Sequence, residues 1–149
     1  MIFIIGGQSQ GKTEFALEFC GRRKKMETGS VSEPGKASAD SGFSILDETV
    51  ADGRTSEYEE AMTAPFIIHL ECYIRRLMEE GKDPAGFAQR LMSENGRAVV
   101  TANEIGYGVV PADAFLREYR EIDGRICQKI AAFSDEVYRV VCGLGTRIK

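Results

Sequence analysis

Gly6-Gly7-Gln8-Ser9-Gln10-Gly11-Lys12-Thr13, residues 6–13, is a full match to the phosphate-binding pattern G-x-x-x-x-G-K-[ST]. Its flanks are the ones the pattern needs. Met1 to Ile5 is an unbroken apolar run without alternation, which reads as a strand buried on both faces of a parallel sheet. From Lys12 onward Phe15, Ala16, Phe19 and Cys20 recur at helical spacing; this helix is expected to end near Gly21, with Arg22, Arg23, Lys24 and Lys25 at its negative end. The glycines let several backbone N–H groups point into one concavity, and the helix adds its positive end. Gly6, Gly7, Gln8, Ser9, Gln10, Gly11, Lys12 and Thr13 are therefore the expected nucleotide-binding residues. Lys12 would reach the terminal phosphates as a catalytic group, and the Thr13 hydroxyl would bind Mg²⁺. The ligand class is a nucleoside triphosphate, ATP or GTP; no guanine-reading motif such as N-K-x-D fixes the base.

Strands and helices alternate along the rest of the chain. Residues 27–42 (ETGSVSEPGKASADSG) are rich in Gly, Ser, Pro and charge and read as a mobile loop, since neither flank could be a domain alone. Phe43 to Leu46 reads as a short strand, and Thr55 to Met62 as a short helix capped by Thr55 or Ser56. Pro65 introduces a second buried strand, Phe66 to Leu70. Helices are expected over Cys72 to Glu80, stopping at Gly81, and over Pro84 to Ser93, opened by Asp83. Arg97 to Thr101 reads as a third core strand. The longest helix follows Pro111, with Phe115, Tyr119, Ile122, Ile126, Ile130 and Phe133 stepping by three or four. Glu136 to Cys142 is a last strand, and Thr146 to Lys149 a short edge strand. The class is α/β, a P-loop NTPase-like three-layer fold with a mostly parallel sheet, in one nucleotide-binding domain over residues 1–149.

Composition narrows the function classes. A net charge of −4, from 19 Lys+Arg against 23 Asp+Glu, disfavours a general nucleic-acid binder. No signal peptide or membrane insertion is expected, because Met1 to Ile5 is too short and runs straight into Gly6-Gly7. Cys20, Cys72, Cys127 and Cys142 lack any C-x-x-C spacing and read as reduced thiols of a cytoplasmic protein, not as zinc ligands.

Thr101 to Pro111 is the second informative stretch. A strand ending in Thr-Ala-Asn-Glu puts Asn103 and Glu104 at a carboxyl end, where ligands of open α/β sheets gather. Asn103 is thus a candidate cofactor-binding residue. Glu104 is a candidate for catalysis, as base on an attacking hydroxyl, and for Mg²⁺ through water. Both could equally cap a turn.

Together these segments resemble the adenosylcobinamide kinase / adenosylcobinamide-phosphate guanylyltransferase family of cobalamin biosynthesis. GGQSQGKTEFA is similar to its amino-terminal loop, and VVTANEIGYGVVP to its T-N-E-V-G-x-G-I-V-P signature. REYREIDGRICQKIAAF resembles its R-x-F-R-D-x-x-G-x-x-N-Q helix. The resemblance implies phosphoryl transfer from ATP or GTP to the hydroxyl of a cobinamide-like corrinoid, then guanylyl transfer through a histidine, in a homo-oligomer. It places Asn103 and Glu104 at the active site and Arg117, Arg120 and Gln128 on the patterned helix face. The chain departs from the family in three places. The acceptor-histidine segment is replaced by residues 27–42, His69 stands at the family's strand-end aspartate, and Cys127 replaces an asparagine. Glu71, two residues beyond His69, would serve as the metal carboxylate if the strand extends that far. The alternative function is a non-catalytic nucleotide-binding subunit or regulatory module.

Overall fold

β1 (Ile2–Gly6) is the centre of the sheet, and its alternation shows how the layers form. Ile2 and Ile4 point to one face, and Phe3 to the other. The computed structural model describes residues 1–27, 50–106 and 108–149. The expected loop beyond Glu27 and the expected strand at Phe43 to Leu46 lie outside the described residues.

The other strands are β2 (Val50–Asp52), β3 (Phe66–Ile68), β4 (Val99–Asn103), β5 (Glu136–Val141) and β6 (Leu144–Arg147). They form one six-stranded sheet in the order β2-β3-β4-β1-β5-β6. All neighbours are parallel except β5 and β6. α1 (Lys12–Glu27) covers one face, where Ala16 is buried with Ile2, Ile4, Phe66, Val99 and Val140. α2 (Leu70–Glu79), α3 (Pro84–Glu94) and α4 (Ala114–Phe133) cover the other. Tyr73, Leu91 and Ile130 from those helices are buried there against Phe3, Ile67, Val100 and Val137. The α/β class and the P-loop NTPase-like arrangement hold.

Several boundaries differ from expectation. α1 runs through Gly21 to Glu27. β2 was not expected. Residues Thr55 to Met62 form turns with a single 3₁₀ turn at Glu60–Met62, because Arg76 Nη1 takes the carbonyls of Gly53 and Ser56 at 3.1 and 2.8 Å. A carbonyl so occupied is drawn away from helical bonding. The second core strand stops at Ile68: His69 is left-handed at φ 57°, and Leu70 already begins α2. The expected extended segment to Glu71 does not exist, so Glu71 stands in a helix's first turn. The edge strand is displaced to Leu144–Arg147 by a tight turn in which Cys142 and Gly143 both have positive φ.

Candidate functional site

The site is built where β1 and β4 end side by side, with Gly6 opposite Asn103 and Glu104 N donating to Gly6 O at 3.0 Å. Gly6 has to be glycine: a Cβ there would meet Val140 O of β5 at 2.4 Å. The loop then turns through Ser9 (φ 58°) and Gly11 (φ 82°) into α1. Gln10 braces it from outside, accepting from Cys142 N on Oε1 and from Gly143 N on its carbonyl, both at 2.8 Å.

Alternation along β4 decides what faces this loop. Val100 and Ala102 join the core under α2 to α4, whereas Thr101 and Asn103 line a cavity of about 370 Å³. Gln8, Ser9, Gln10, Gly11, Lys12 and Thr13 form its other wall, and His69, Glu71, Cys72 and Arg54 complete it. Lys12 is nearly buried at 8% exposure; its Nζ donates to Gly7 O at 2.8 Å and to Asn103 Oδ1 at 2.5 Å. Burial lowers the Lys12 pKa, against the opposing charges of Glu71 and Glu104. Glu71 is 4% exposed and accepts from Asn103 N at 3.0 Å and Asn103 Nδ2 at 2.6 Å. Burial works against its charge, yet hydrogen bonds from His69 and Asn103 hold its carboxyl below the usual range. Lys12, Thr13, Asn103 and Glu71 are thus brought to one cavity, with a buried ionised acid beside a buried cation.

Glu104 is not on that cavity. It lines a second one of about 400 Å³, together with Asn103, Asp123, Gly124, Cys127 and Gln128. Arg139 engages the Glu104 carboxylate at 3.1 Å. Arg117 Nη1 donates to Pro111 O at 2.9 Å, and Arg120 donates to Gly106 O, so both guanidinium groups hold the loop before α4. Asp123 is 2% exposed with one carboxylate oxygen unpartnered. Burial, and then the charge of Glu71, push its pKa up to about 7.

Sequence reasoning missed Arg54, Cys72 and Asp123. Arg54 pairs with Asp52 at 2.6 Å at the end of the unexpected β2. Cys72 enters the cavity because α2 starts two residues early, and burial pushes its thiol up to about 11. Asp123 could have been found as an acid interrupting the apolar stripe between Tyr119 and Ile126.

A family described as cobinamide kinase / cobinamide phosphate guanyltransferase matches residues 69–148, a little over half of the 149. The chain belongs to this family. Two curated relatives are both named "Bifunctional adenosylcobalamin biosynthesis protein CobU". The one from Salmonella typhimurium is 45% identical over 53 residues, which is 36% of this chain and 29% of the relative. The one from Escherichia coli is 43% identical over 53 residues, with the same shares. The alignment thus covers under a third of either relative's length. The family span holds His69, Glu71, Asn103, Glu104 and Asp123, and the phosphate loop lies ahead of it. No helix among the described residues is long and apolar enough to cross a membrane.

Proposed function

We propose that this chain binds ATP or GTP with Mg²⁺ and transfers the γ-phosphoryl group to a hydroxyl of a cobinamide-like corrinoid. The observation that carries this reading is the Lys12–Asn103–Glu71 chain of hydrogen bonds at the mouth of the phosphate loop. A triphosphate would replace the Gly7 and Asn103 oxygens around Lys12 Nζ with phosphate oxygens. Lys12 would then neutralise charge as it develops on the transferring group, inside a cavity that is already partly desolvated.

The donors present fit a hard cation: the Thr13 hydroxyl and the Glu71 carboxylate are oxygen ligands on one cavity. Thr13 and Glu71 would hold Mg²⁺, and the ion would supply positive charge to the phosphate groups. Asn103 would position both partners, since its backbone N–H and Nδ2 hold Glu71 and its Oδ1 holds Lys12. Glu104, on the second cavity, would face the acceptor and orient its hydroxyl, with Arg139 setting the carboxylate's direction. Guanylyl transfer lies outside the proposal, because His69 is the only histidine in the sequence and its Nδ1 faces Glu71 Oε1. A cytoplasmic location and a homo-oligomer belong to the same reading; Val109, Val110 and Leu116 near the start of α4 are exposed apolar surface for a neighbour.

A coupled assay with adenosylcobinamide and ATP or GTP tests this. Phosphate transfer no greater than that of Lys12→Ala would sink it. A second reading, a non-catalytic nucleotide-binding subunit, is favoured by the Arg139 pair that occupies Glu104. It predicts calorimetric nucleotide binding with neither turnover nor corrinoid affinity.

A further inference from the structure

The carboxyl end of β2 brings a second fixed cation to the phosphate-loop cavity. β1, β4, β3 and β2 are parallel neighbours, so their exits lie along one edge of the sheet. Arg54, just beyond Asp52 at the end of β2, lines the same cavity as Gln8 to Thr13. Among the described residues, Lys12 and Arg54 are the lysine and arginine side chains that line it. Their states differ. Lys12 is nearly buried and bonded to Gly7 O and Asn103 Oδ1, whereas the Arg54 side chain is 58% exposed.

The turn that carries Arg54 is pinned on several sides. Gly53 N donates to Ile68 O at 2.9 Å, and a Cβ on Gly53 would sit 2.0 Å from His69 O, so β2 leaves the sheet tight against the end of β3. Thr55 N and Ser56 N both donate to Asp52 O, at 3.0 and 2.8 Å. Asp52 N donates to Ser56 Oγ at 3.1 Å, and Arg76 of α2 holds the carbonyls of Gly53 and Ser56. Asp52 then aims the guanidinium. Its carboxylate accepts from Arg54 N at 2.9 Å, from Nε at 3.1 and 3.0 Å and from Nη2 at 2.6 Å. A guanidinium carries more N–H donors than one carboxylate takes, and Arg54 Nη1 makes no hydrogen bond among the described residues. The fork is held along one edge and open along the other.

We propose that Arg54 binds the terminal phosphate of the nucleoside triphosphate and makes the site select triphosphate over diphosphate. The open edge of a guanidinium suits this group, because its N–H donors lie side by side and match oxygens on one phosphorus. Asp52 keeps its own contacts as the phosphate enters, so no buried charge is uncovered. The pair also fixes the Arg54 side chain before the ligand arrives, which lowers the ordering cost of binding. During transfer, charge spreads over the γ-phosphoryl oxygens, and a guanidinium supplied by the same chain stabilises it there. Lys12 and Arg54 then hold the group together, while Thr13 and Glu71 keep their place at Mg²⁺. This inference rests on the triphosphate reading of the loop. It adds a phosphate-binding residue outside the loop and ahead of the matched family span.

The test is calorimetry on the full chain with Mg²⁺, using the β,γ-imido analogues of ATP and GTP and, separately, ADP and GDP. For the base that binds, Arg54→Ala weakens the triphosphate analogue by roughly tenfold or more and the diphosphate by less than about twofold. Arg54→Lys recovers only part of that loss, because an ammonium keeps the charge without the fork. Arg125→Ala, at an exposed ion pair on α4, changes neither affinity. Equal losses for triphosphate and diphosphate, or no loss for the triphosphate, overturn the proposal. Circular dichroism checks that each variant is folded. A crystal structure of the wild-type chain with Mg²⁺ and the imido analogue decides independently of any variant. Arg54 Nη1 within hydrogen-bond distance of a γ-phosphate oxygen supports the contact, and a guanidinium turned to solvent overturns it. A wild-type chain that binds neither nucleotide overturns the phosphate-loop reading and this inference with it. Ordinary wild-type binding with Arg54→Ala unaffected overturns this inference alone.

Discussion

Asn103 gives both its donors to Glu71, the backbone N–H at 3.0 Å and Nδ2 at 2.6 Å, while its side-chain oxygen accepts from Lys12. One residue at the end of β4 therefore ties Lys12 to the buried Glu71. Neither charge is left unpaired in the low-dielectric cavity, which is the condition for keeping both ionised.

Lys12→Ala removes the ammonium that is hydrogen-bonded to Asn103 in that chain. Phosphoryl transfer is expected to fall by about 10²-fold or more, as for loss of a charge-stabilising donor elsewhere. Steady-state kinetics at saturating nucleotide check it, with kcat expected to fall further than nucleotide affinity.

Glu71→Ala strands two Asn103 donors and the Lys12 ammonium. We expect a loss of about 2–4 kcal/mol in urea unfolding, the scale for breaking a buried charged network. The pH dependence carries a sign. Glu71 is held below its ordinary pKa, so its contribution is present above about pH 4.5 and is lost as pH falls through the folded value. Glu71→Gln should lose less stability than the wild-type chain on acidification.

Asp123 has the opposite sign. Its folded pKa, about 7, stands above the ordinary 3.8, so the folded state holds the proton more tightly. Stability falls as pH rises from about 4 to about 7 and is level beyond. Asp123→Asn should remove this slope, gaining on the order of 3 kcal/mol over the wild-type chain between pH 4.5 and pH 8. Thermal melting at both pH values measures it.

Two glycine substitutions separate close approach from mere flexibility. Gly6→Ala puts a methyl 2.4 Å from the backbone oxygen of Val140, which cannot move aside within the sheet, and should leave the chain insoluble or destabilised by about 3 kcal/mol. Gly124 lies inside α4 with nothing within 4 Å of its Cβ position. Gly124→Ala should stabilise by about 0.5–1 kcal/mol.

By itself the sequence determined the glycine-rich turn between a buried strand and a helix, the α/β class and the alternation of core strands and helices. Those features are local: an apolar run before GGQSQGKT, and the stripe from Phe115 to Phe133, each carry their own period. It also placed Asn103 at a strand end, since a strand's exit into a polar segment is visible in a few residues. Tertiary structure decided which acid meets which cation. Glu104 was expected beside the loop because it follows the strand; it lies on a second cavity, where Arg139 of β5 engages it. Glu71 looked conditional on an extended strand; a left-handed His69 instead folded it into a helix turn and delivered it to Asn103, together with Cys72. Such outcomes depend on contacts across about 30 to 90 residues of chain, such as Glu71 with Asn103 and Lys12 with Asn103. No local period encodes them, because each is fixed only when separate strands align in one sheet.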